Sequence, residues 1–233
     1  MREGTVLHRV LRVELHAHTQ ASPDCGLAPE TLVGLLMSRG IDALAVTDHN
    51  TMSGAFEMAT ISALPVILSE EIKSTAGDII GLFLREEIPR DMGPQETAGA
   101  IKEQGGLVLV PHPFDSLRRS ALGLDAVDSI RDQIDILEIF NGRTLRERDN
   151  HSAFVYAKEH ALVASVGSDS HLAREVGLSW QSVQPWNGPG EFLENMREAE
   201  LHSELAPAWV HAGSSLHAYS TKLQKRLKAW FSG

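Results

Sequence analysis

Short apolar runs rich in valine, isoleucine and leucine recur along the chain, and most of them are separated by longer amphipathic stretches. The runs predict strands at Val10–Leu15, Ala43–Thr47, Pro65–Leu68, Ile79–Leu84, Leu107–Val110, Ile136–Phe140 and Val163–Gly167. The stretches predict helices at Ala28–Arg39, Gly54–Ala59, Gly93–Gln104, Arg146–Glu159 and Glu191–Ala199. This alternation is typical of βα units, so we expect an α/β fold with a largely parallel sheet. Only residues 73–78 separate the fourth run from the strand before it, and so short a connection predicts a hairpin of these two strands.

The composition is that of a globular protein. The chain has 233 residues, of which 42% are hydrophobic and 22% charged, and this excludes a disordered or fibrous protein. A single domain over residues 1–233 is long enough to bury a core without disulfides. We expect its C-terminal part, from about residue 191 to residue 233, to be helical. Within that part, Thr221–Trp230 is basic and amphipathic, which favours a surface helix.

Charge and cysteine content limit the compartment and the partners. The first ten residues hold no apolar segment and no apolar run could cross a bilayer, so we expect a soluble, cytoplasmic protein without a membrane partner. Cys25 is the only cysteine, which excludes an intramolecular disulfide and agrees with a reducing compartment. The formal net charge is -10, so no long nucleic acid is expected as a partner. The sequence leaves the oligomeric state open.

Histidines and carboxylates collect at the ends of the predicted strands. The group also includes one asparagine, and its members are His16, His18, Asp24, His49, Glu70, Glu71, His112, Glu138, Asn141, Asp169 and His171. Because parallel strands end at the same edge of a sheet, we expect these side chains to lie together. Side chains alternate along a strand with a period of two, so the members of each pair, His16 with His18 and Asp169 with His171, point to the same side. We expect ordinary structural roles for His8, His160, His202, His211 and His217.

This mixture of ligand types indicates a metal centre. Imidazole together with carboxylate suits Zn, Mn or Fe in the divalent state, and the lack of cysteine ligands argues against a closed structural zinc site. A carboxylate such as Glu71 can bridge two ions through its two oxygens. Asp48, next to His49, is either an orienting partner of a neighbouring histidine or a turn residue.

The motifs that contain these residues resemble the PHP (polymerase and histidinol phosphatase) domain family. They are LHAHT with SPD, AVTDHN, SEEIKST, VPHPF and GSDSH, which follow the family's order over residues 16–171. The resemblance implies a distorted seven-stranded (β/α) barrel of the PHP type that holds two or three divalent metal ions, Mn, Fe or Zn. It implies one site held by His16, His18, Glu71 and Asp169, a second by Glu71 and His112, and a third by Asp24, His49 and His171.

The sequence departs from the family pattern at the second metal site. Gly77 and Asp78 stand where many members have Gly-His, and Asn141 stands where several members have a histidine. We therefore expect the second site to be ligated by Asp78 or Asn141, or to be partly open or empty. The chain also lacks the long insertion that marks the nucleotide- and RNA-processing members.

The resemblance implies hydrolysis of a phosphomonoester of a small metabolite or nucleotide. A phosphomonoester dianion repels hydroxide, so the metal cluster must neutralise its oxygens and supply a metal-bound hydroxide for in-line attack. The candidate catalytic residues are His18, His49, Glu71 and His171, and one of the three histidines would protonate the leaving group. The candidates for binding the substrate phosphate are Arg143, Arg118 and Arg119.

Other functions remain open at this stage. An exonuclease for short oligonucleotides, or a nucleotide 3'-phosphatase, would use the same cluster. A non-catalytic metal-binding PHP domain would show a depleted ligand set. Enzymes that hydrolyse C–N bonds in a related barrel often carry a carboxylated lysine, and no lysine stands at the place of Glu71.

Overall fold

The computed structural model describes residues 9–207 and 209–210. The predicted helix at Thr221–Trp230 and the histidines His8, His211 and His217 lie outside the described residues. The strands are β1 (Leu11–Ala17), β2 (Ala43–Val46), β3 (Val66–Lys73), β4 (Asp78–Leu82), β5 (Leu107–Val110), β6 (Ile136–Asn141), β7 (Val163–Gly167), β8 (Trp180–Val183) and β9 (Glu200–His202). The α-helices are α1 (Pro29–Ser38), α2 (Ser53–Ile61), α3 (Pro94–Glu103), α4 (Gly123–Ile130), α5 (Glu147–Glu159) and α6 (Pro189–Arg197).

The strands form one mixed sheet in the order β7-β6-β5-β4-β3-β2-β1-β8-β9. Pairing is parallel for β1 with β2, β2 with β3, β5 with β6 and β6 with β7. It is antiparallel for β3 with β4, β4 with β5, β1 with β8 and β8 with β9. The sheet curls into a nearly closed barrel, and a parallel bridge joins Ala17, the last residue of β1, to Ser170 after β7. The His18 amide donates to the Ser170 carbonyl at 3.1 Å across the same seam.

The local sequence explains these elements. All four residues of β2 and all four of β5 are buried, as expected for apolar runs covered on both faces. Helices α1, α3 and α6 each have a proline in the first turn, where the missing amide hydrogen costs nothing. One apolar cluster takes residues from each of β1 to β8, and Phe192 and Met196 of α6 pack into it. This cluster forms the interior of the barrel.

The structure confirms an α/β barrel and the hairpin of β3 with β4, and it corrects three details. The sheet is mixed rather than largely parallel, since its parallel and antiparallel pairings are equally many. It has nine strands instead of seven. The two additional strands, β8 and β9, are short and half-exposed and carry no apolar run from which they could be predicted. Strand β3 continues to Lys73, so Glu70 and Glu71 lie within it rather than after it.

Two histidines without a motif have ordinary packing roles. The ring of His160 lies 4.2 Å from that of Tyr156, and the ring of His202 stacks on Trp180 at 3.7 Å. Among the described helices, none is both long and apolar enough to cross a membrane.

Candidate metal centre

Four donor atoms from three strand ends converge at one edge of the barrel. His16 Nε2 lies 3.6 Å from both Glu71 Oε2 and Asp169 Oδ1. His18 Nε2 lies 3.4 Å from the same glutamate oxygen and 3.3 Å from the same aspartate oxygen. His16 and His18 come from the end of β1, Glu71 comes from β3, and Asp169 comes from the loop after β7. The strands thus bring together ligands that are far apart in sequence.

These four atoms fit a divalent cation. All of them are buried, and within the described part of the chain none makes a hydrogen bond. Burying a polar atom without a partner is costly, so four such atoms facing one another need a shared charge between them. Ligands that bind one ion at about 2.1 Å lie roughly 3.0–3.4 Å apart, close to the spacing seen here. The donor set therefore supports divalent metal binding.

A second group of donors shares Glu71 with the first. His112 Nε2 lies 3.1 Å from Glu71 Oε1, while Oε2 faces the first group. The donor atoms of His16, Glu71 and His112 lie within 4.8 Å of one another. The two oxygens of this glutamate therefore point to two neighbouring positions, as expected of a bridging ligand.

A third group lies on the pocket side. The donor atoms of His18, His49 and His171 lie within 4.8 Å of one another. Asp24 Oδ2 lies 3.5 Å from His49 Nε2 and 3.3 Å from His171 Nε2. His49 Nδ1 lies 3.0 Å from Glu71 Oε2, which links this group to the first.

Asp78 stands near Glu71 and His112 of the second group, whereas Asn141 contacts Asp169 of the first group. The Asp78 carboxyl is buried at the start of β4, and burial together with the charge of Glu71 raises its pKa. The Asn141 amide donates to Glu138 at 2.9 Å and to Asp169 at 3.3 Å, and its oxygen accepts from the Arg143 amide at 3.0 Å. This pattern suits a residue that orients carboxylates. The roles of Asp78 and Asn141 as metal ligands stay predictions.

Glu138 orients two of the histidines. His16 Nδ1 donates to Glu138 Oε1 at 2.9 Å, because a carboxylate can only accept. Oε2 of the same residue accepts from the His112 backbone amide at 2.7 Å. With Nδ1 holding its hydrogen on Glu138, the Nε2 lone pair of His16 faces the cluster.

Asp48 orients His18 through a serine, so its role is that of an orienting partner rather than of a turn residue alone. It is fully buried and accepts from the Thr19 amide at 2.8 Å and the Ser22 hydroxyl at 2.8 Å. The same serine hydroxyl lies 3.1 Å from His18 Nδ1 and accepts from the His49 amide at 3.0 Å.

The backbone at two candidate ligands is in the left-handed region. His112 has φ 29° and Asp169 has φ 53°, values that cost a residue with a Cβ some energy. The Asp169 amide donates to the His16 carbonyl at 2.8 Å, which holds that turn against β1. Strained backbone at both positions fits ligands that are held in place by their surroundings.

The electrostatics of the cluster favour ionised carboxylates. Burial opposes the charge of Glu71, yet the neighbouring imidazoles of His49 and His16 hold its pKa well below the usual range. Burial likewise opposes the charge of His16, but the carboxylates around it, led by Asp169, raise its pKa. Burial and the nearby His171 lower the pKa of His18 to about 3. The centre thus presents negative oxygens and a neutral imidazole, which are what a divalent cation binds.

A pocket of about 390 Å³ opens over the third group. Asp24, His49 and His171 form part of its wall, and Arg118 and Arg143 form another part. Arg118 Nη1 lies 2.7 Å from Asp169 Oδ2, and Arg143 Nε lies 3.3 Å from Glu175 Oε1. Arg119, the third predicted phosphate ligand, is exposed and does not line this pocket. Glu175, the partner of Arg143, belongs to no motif and therefore could not be predicted from the sequence.

Comparison with known proteins agrees with this geometry. Residues 147–201 match the PHP-associated family model. A solved two-domain protein of Bacteroides vulgatus, which contains a predicted PHP-like metal-dependent phosphoesterase, superposes with a TM-score of 0.69 at 17% identity. The alignment covers 84% of this chain and 66% of that one, slightly under two thirds of its length. The chain belongs to the PHP domain family.

Two further relatives of this PHP protein are informative. The uncharacterized protein MJ1587 of Methanocaldococcus jannaschii is 38% identical over 145 residues, which are 56% of this chain and 82% of the relative. The lesion-specific endonuclease PfuEndoQ of Pyrococcus furiosus has a TM-score of 0.62 at 15% identity, over 82% of this chain and 57% of that one. The PHP fold thus also occurs in an endonuclease, which partly conflicts with the expectation that no long nucleic acid is a partner. That expectation remains a prediction.

Proposed function

We propose that this PHP protein hydrolyses a phosphomonoester of a small metabolite or nucleotide. The PHP fold and its metal-dependent neighbours support hydrolase activity in general. The observation that carries the finer proposal is a group of four buried donor atoms that face one another and make no hydrogen bond among the described residues, beside a pocket lined by two arginines. Divalent cations held by these donors, together with the guanidinium groups of arginines, are suited to binding a phosphate group.

We assign three sets of residues to divalent ions. The first is His16, His18, Glu71 and Asp169, the second is Glu71 with His112, and the third is Asp24, His49 and His171. Ions bound there would lower the pKa of water to near neutrality and neutralise phosphate oxygens. The ligand set is complete enough to argue against a non-catalytic domain. Bridging by Glu71 makes this residue the one on which both of the first two sites depend.

The arginines of the pocket would bind and orient the phosphate. Arg118 is held beside the cluster by Asp169 at 2.7 Å and by Asp115 at 3.6 Å. Arg143 is held by the buried Glu175. A fixed guanidinium loses little conformational freedom when it binds a phosphate, so both side chains are prepared to hold one. Arg119 is not assigned to this role.

The proton for the leaving group would come from the pocket wall. His18 is poorly suited, because it is fully buried and its pKa is lowered to about 3 by burial and His171. His49 is better placed whenever the third set holds no ion, since its side chain is 23% exposed at the pocket wall and its pKa is raised, the pull of Glu71 outweighing burial. Asp24, 3.5 Å from Nε2, holds the ring at the wall.

The proposal is tested by the release of inorganic phosphate from a panel of sugar, amino-alcohol and nucleotide phosphates. The protein is stripped of metal, then assayed with and without added Mn²⁺. We expect metal-dependent turnover that falls at least about a thousandfold in Glu71→Gln, because the bridge between two sites is lost. Glu57→Gln, an exposed change on α2, is the matched control and should keep full activity. Equal activity of Glu71→Gln and the wild type would refute the assignment.

Cleavage at a nucleic-acid end is a second candidate, supported by the fold shared with PfuEndoQ. The net charge of -10 offers no broad basic surface for a duplex, so a short single strand is the better fit. A labelled oligonucleotide in the same assay separates the two candidates, because only this activity shortens the strand.

A further inference from the structure

Two loops at the mouth of the pocket each carry an arginine with a leucine close to it in sequence. Leu117 immediately precedes Arg118, and Leu145 follows Arg143 by two residues. All four side chains line the same pocket. Leu117 is 53% exposed and Leu145 is 54% exposed, so each presents a large apolar side chain to water beside a charged site.

The two loops are fastened to each other by side chains that flank the leucines. The Ser116 amide and hydroxyl donate to Asp149 at 2.9 and 2.7 Å. Arg146 Nη1 donates to the Ser116 hydroxyl at 2.9 Å, and Thr144 Oγ1 donates to Asp115 at 3.5 Å. Because these contacts fix the loops relative to each other, the leucines are held in place before any ligand arrives.

We propose that Leu117 and Leu145 bind the alcohol portion of the substrate, and that this portion is an alkyl or aryl group. The inference rests on the proposed phosphomonoesterase function and specifies its substrate class. An apolar group seated between the leucines would remove both side chains from water while its phosphate reaches the arginines and the metal centre. A polyhydroxylated sugar in the same place would lose water from its hydroxyls and gain no hydrogen bond from either leucine.

The inference is tested by the binding of n-alkylphosphonates, from methyl to hexyl, to the Mn²⁺-loaded protein in a calorimeter. Their C–P bond resists hydrolysis, so the readout does not depend on turnover. We expect the affinity to rise about two- to fourfold per methylene, the upper value corresponding to complete burial. The rise should be lost or halved in Leu117→Ser and in Leu145→Ser. Leu124→Ser is the matched control, since Leu124 is 54% exposed but lies in a different groove, beside Phe114.

The outcomes separate this inference from the function on which it rests. An affinity that rises with chain length in the wild type and the control but not in the two pocket variants would support the assignment of Leu117 and Leu145. Affinity that is independent of chain length, or a dependence unchanged in the pocket variants, would overturn it and leave the phosphomonoesterase proposal intact. Failure of inorganic phosphate and of every phosphonate to bind would overturn both. Thermal midpoints of the three variants, measured alongside, confirm that each is folded.

Discussion

Replacing Glu138 by glutamine tests how the candidate ligands are oriented. Its carboxylate accepts from His16 Nδ1 at 2.9 Å, from the His112 amide at 2.7 Å and from the Asn141 amide at 2.9 Å. All three partners are donors, and glutamine keeps only one accepting oxygen. Whichever way the new amide turns, its nitrogen faces at least one buried donor.

The expected magnitude follows from those contacts. Losing a hydrogen bond to a charged acceptor costs about 1.5–3 kcal/mol, and two buried donors facing each other add to this loss. We therefore expect the free energy of unfolding to fall by roughly 2–4 kcal/mol. His16 would also lose the contact that aims its Nε2 at the cluster, so the affinity for metal should fall about 10- to 100-fold.

Two measurements on the metal-free protein give these numbers. Urea unfolding gives the stability, and calorimetric titration with Mn²⁺ gives the affinity. Glu103→Gln, an exposed change on α3, serves as the control and should alter neither value. If Glu138→Gln matched the wild type in metal affinity, the orienting role would be wrong, whatever its stability.

Two further predictions concern Gly54, whose missing Cβ leaves room for Asp48, and the buried Glu70 of β3. A Cβ at Gly54 would lie 2.0 Å from Asp48 Oδ2, so Gly54→Ala should destabilise the protein by about 1–3 kcal/mol and weaken metal binding. The control is Gly99→Ala in α3, where a Cβ would meet no described atom within 4 Å other than its own helix backbone and chain neighbours. This change should leave the stability in urea unfolding unchanged or raise it. Burial raises the pKa of Glu70 to about 7, so the folded state holds a proton that the unfolded state loses near its ordinary pKa, and stability should fall as the pH rises through that window. Glu70→Gln should therefore be the more stable protein at pH 8, by up to roughly 3 kcal/mol, and equal stability of the two proteins across pH 5–8 would contradict this.

The candidate ligands could be predicted because their signal is local. His16 and His18 have the two-residue spacing that puts both side chains on one side of the end of β1. Asp169 and His171 share that spacing, but they lie in the loop after β7, where Asp169 has φ 53°. Parallel strands then bring such ends together, and the structure places these donors within 4.8 Å of their neighbours. The position of these motifs at the ends of predicted strands was therefore enough to predict that the candidate ligands lie together, although the course of the chain in three dimensions was unknown.

The parts that the sequence did not reveal depend on contacts between distant segments. Glu138 was noted only as a carboxylate near a strand end, because its partners lie 122 and 26 residues away. The contacts of the Asn141 side-chain amide with the carboxylates of Glu138 and Asp169 were not predicted either, and its role as a metal ligand stays a prediction. Strand β8 was missed because Gln181, buried inside the barrel, breaks its apolar pattern. Its side chain instead satisfies the Val166 amide at 2.7 Å.

The arginines show the same limit. Arg118 and Arg119 are adjacent and chemically identical in the sequence, which therefore assigned both to phosphate. Only the turn that carries them decides that Arg118 reaches Asp169 at 2.7 Å while Arg119 faces solvent. Residue type predicted which chemistry to expect, and the direction of the backbone decides which of the two arginines lines the pocket.

The most direct test of the central claim is the amount of tightly bound metal. The protein is loaded with Mn²⁺, desalted and measured by elemental analysis, beside Glu71→Gln and the surface control Glu57→Gln. We predict two or three ions per chain in the wild type and in the control, with a loss of at least one ion in Glu71→Gln. Less than one ion per wild-type chain would contradict the account, since the four converging donor atoms would then hold no cation.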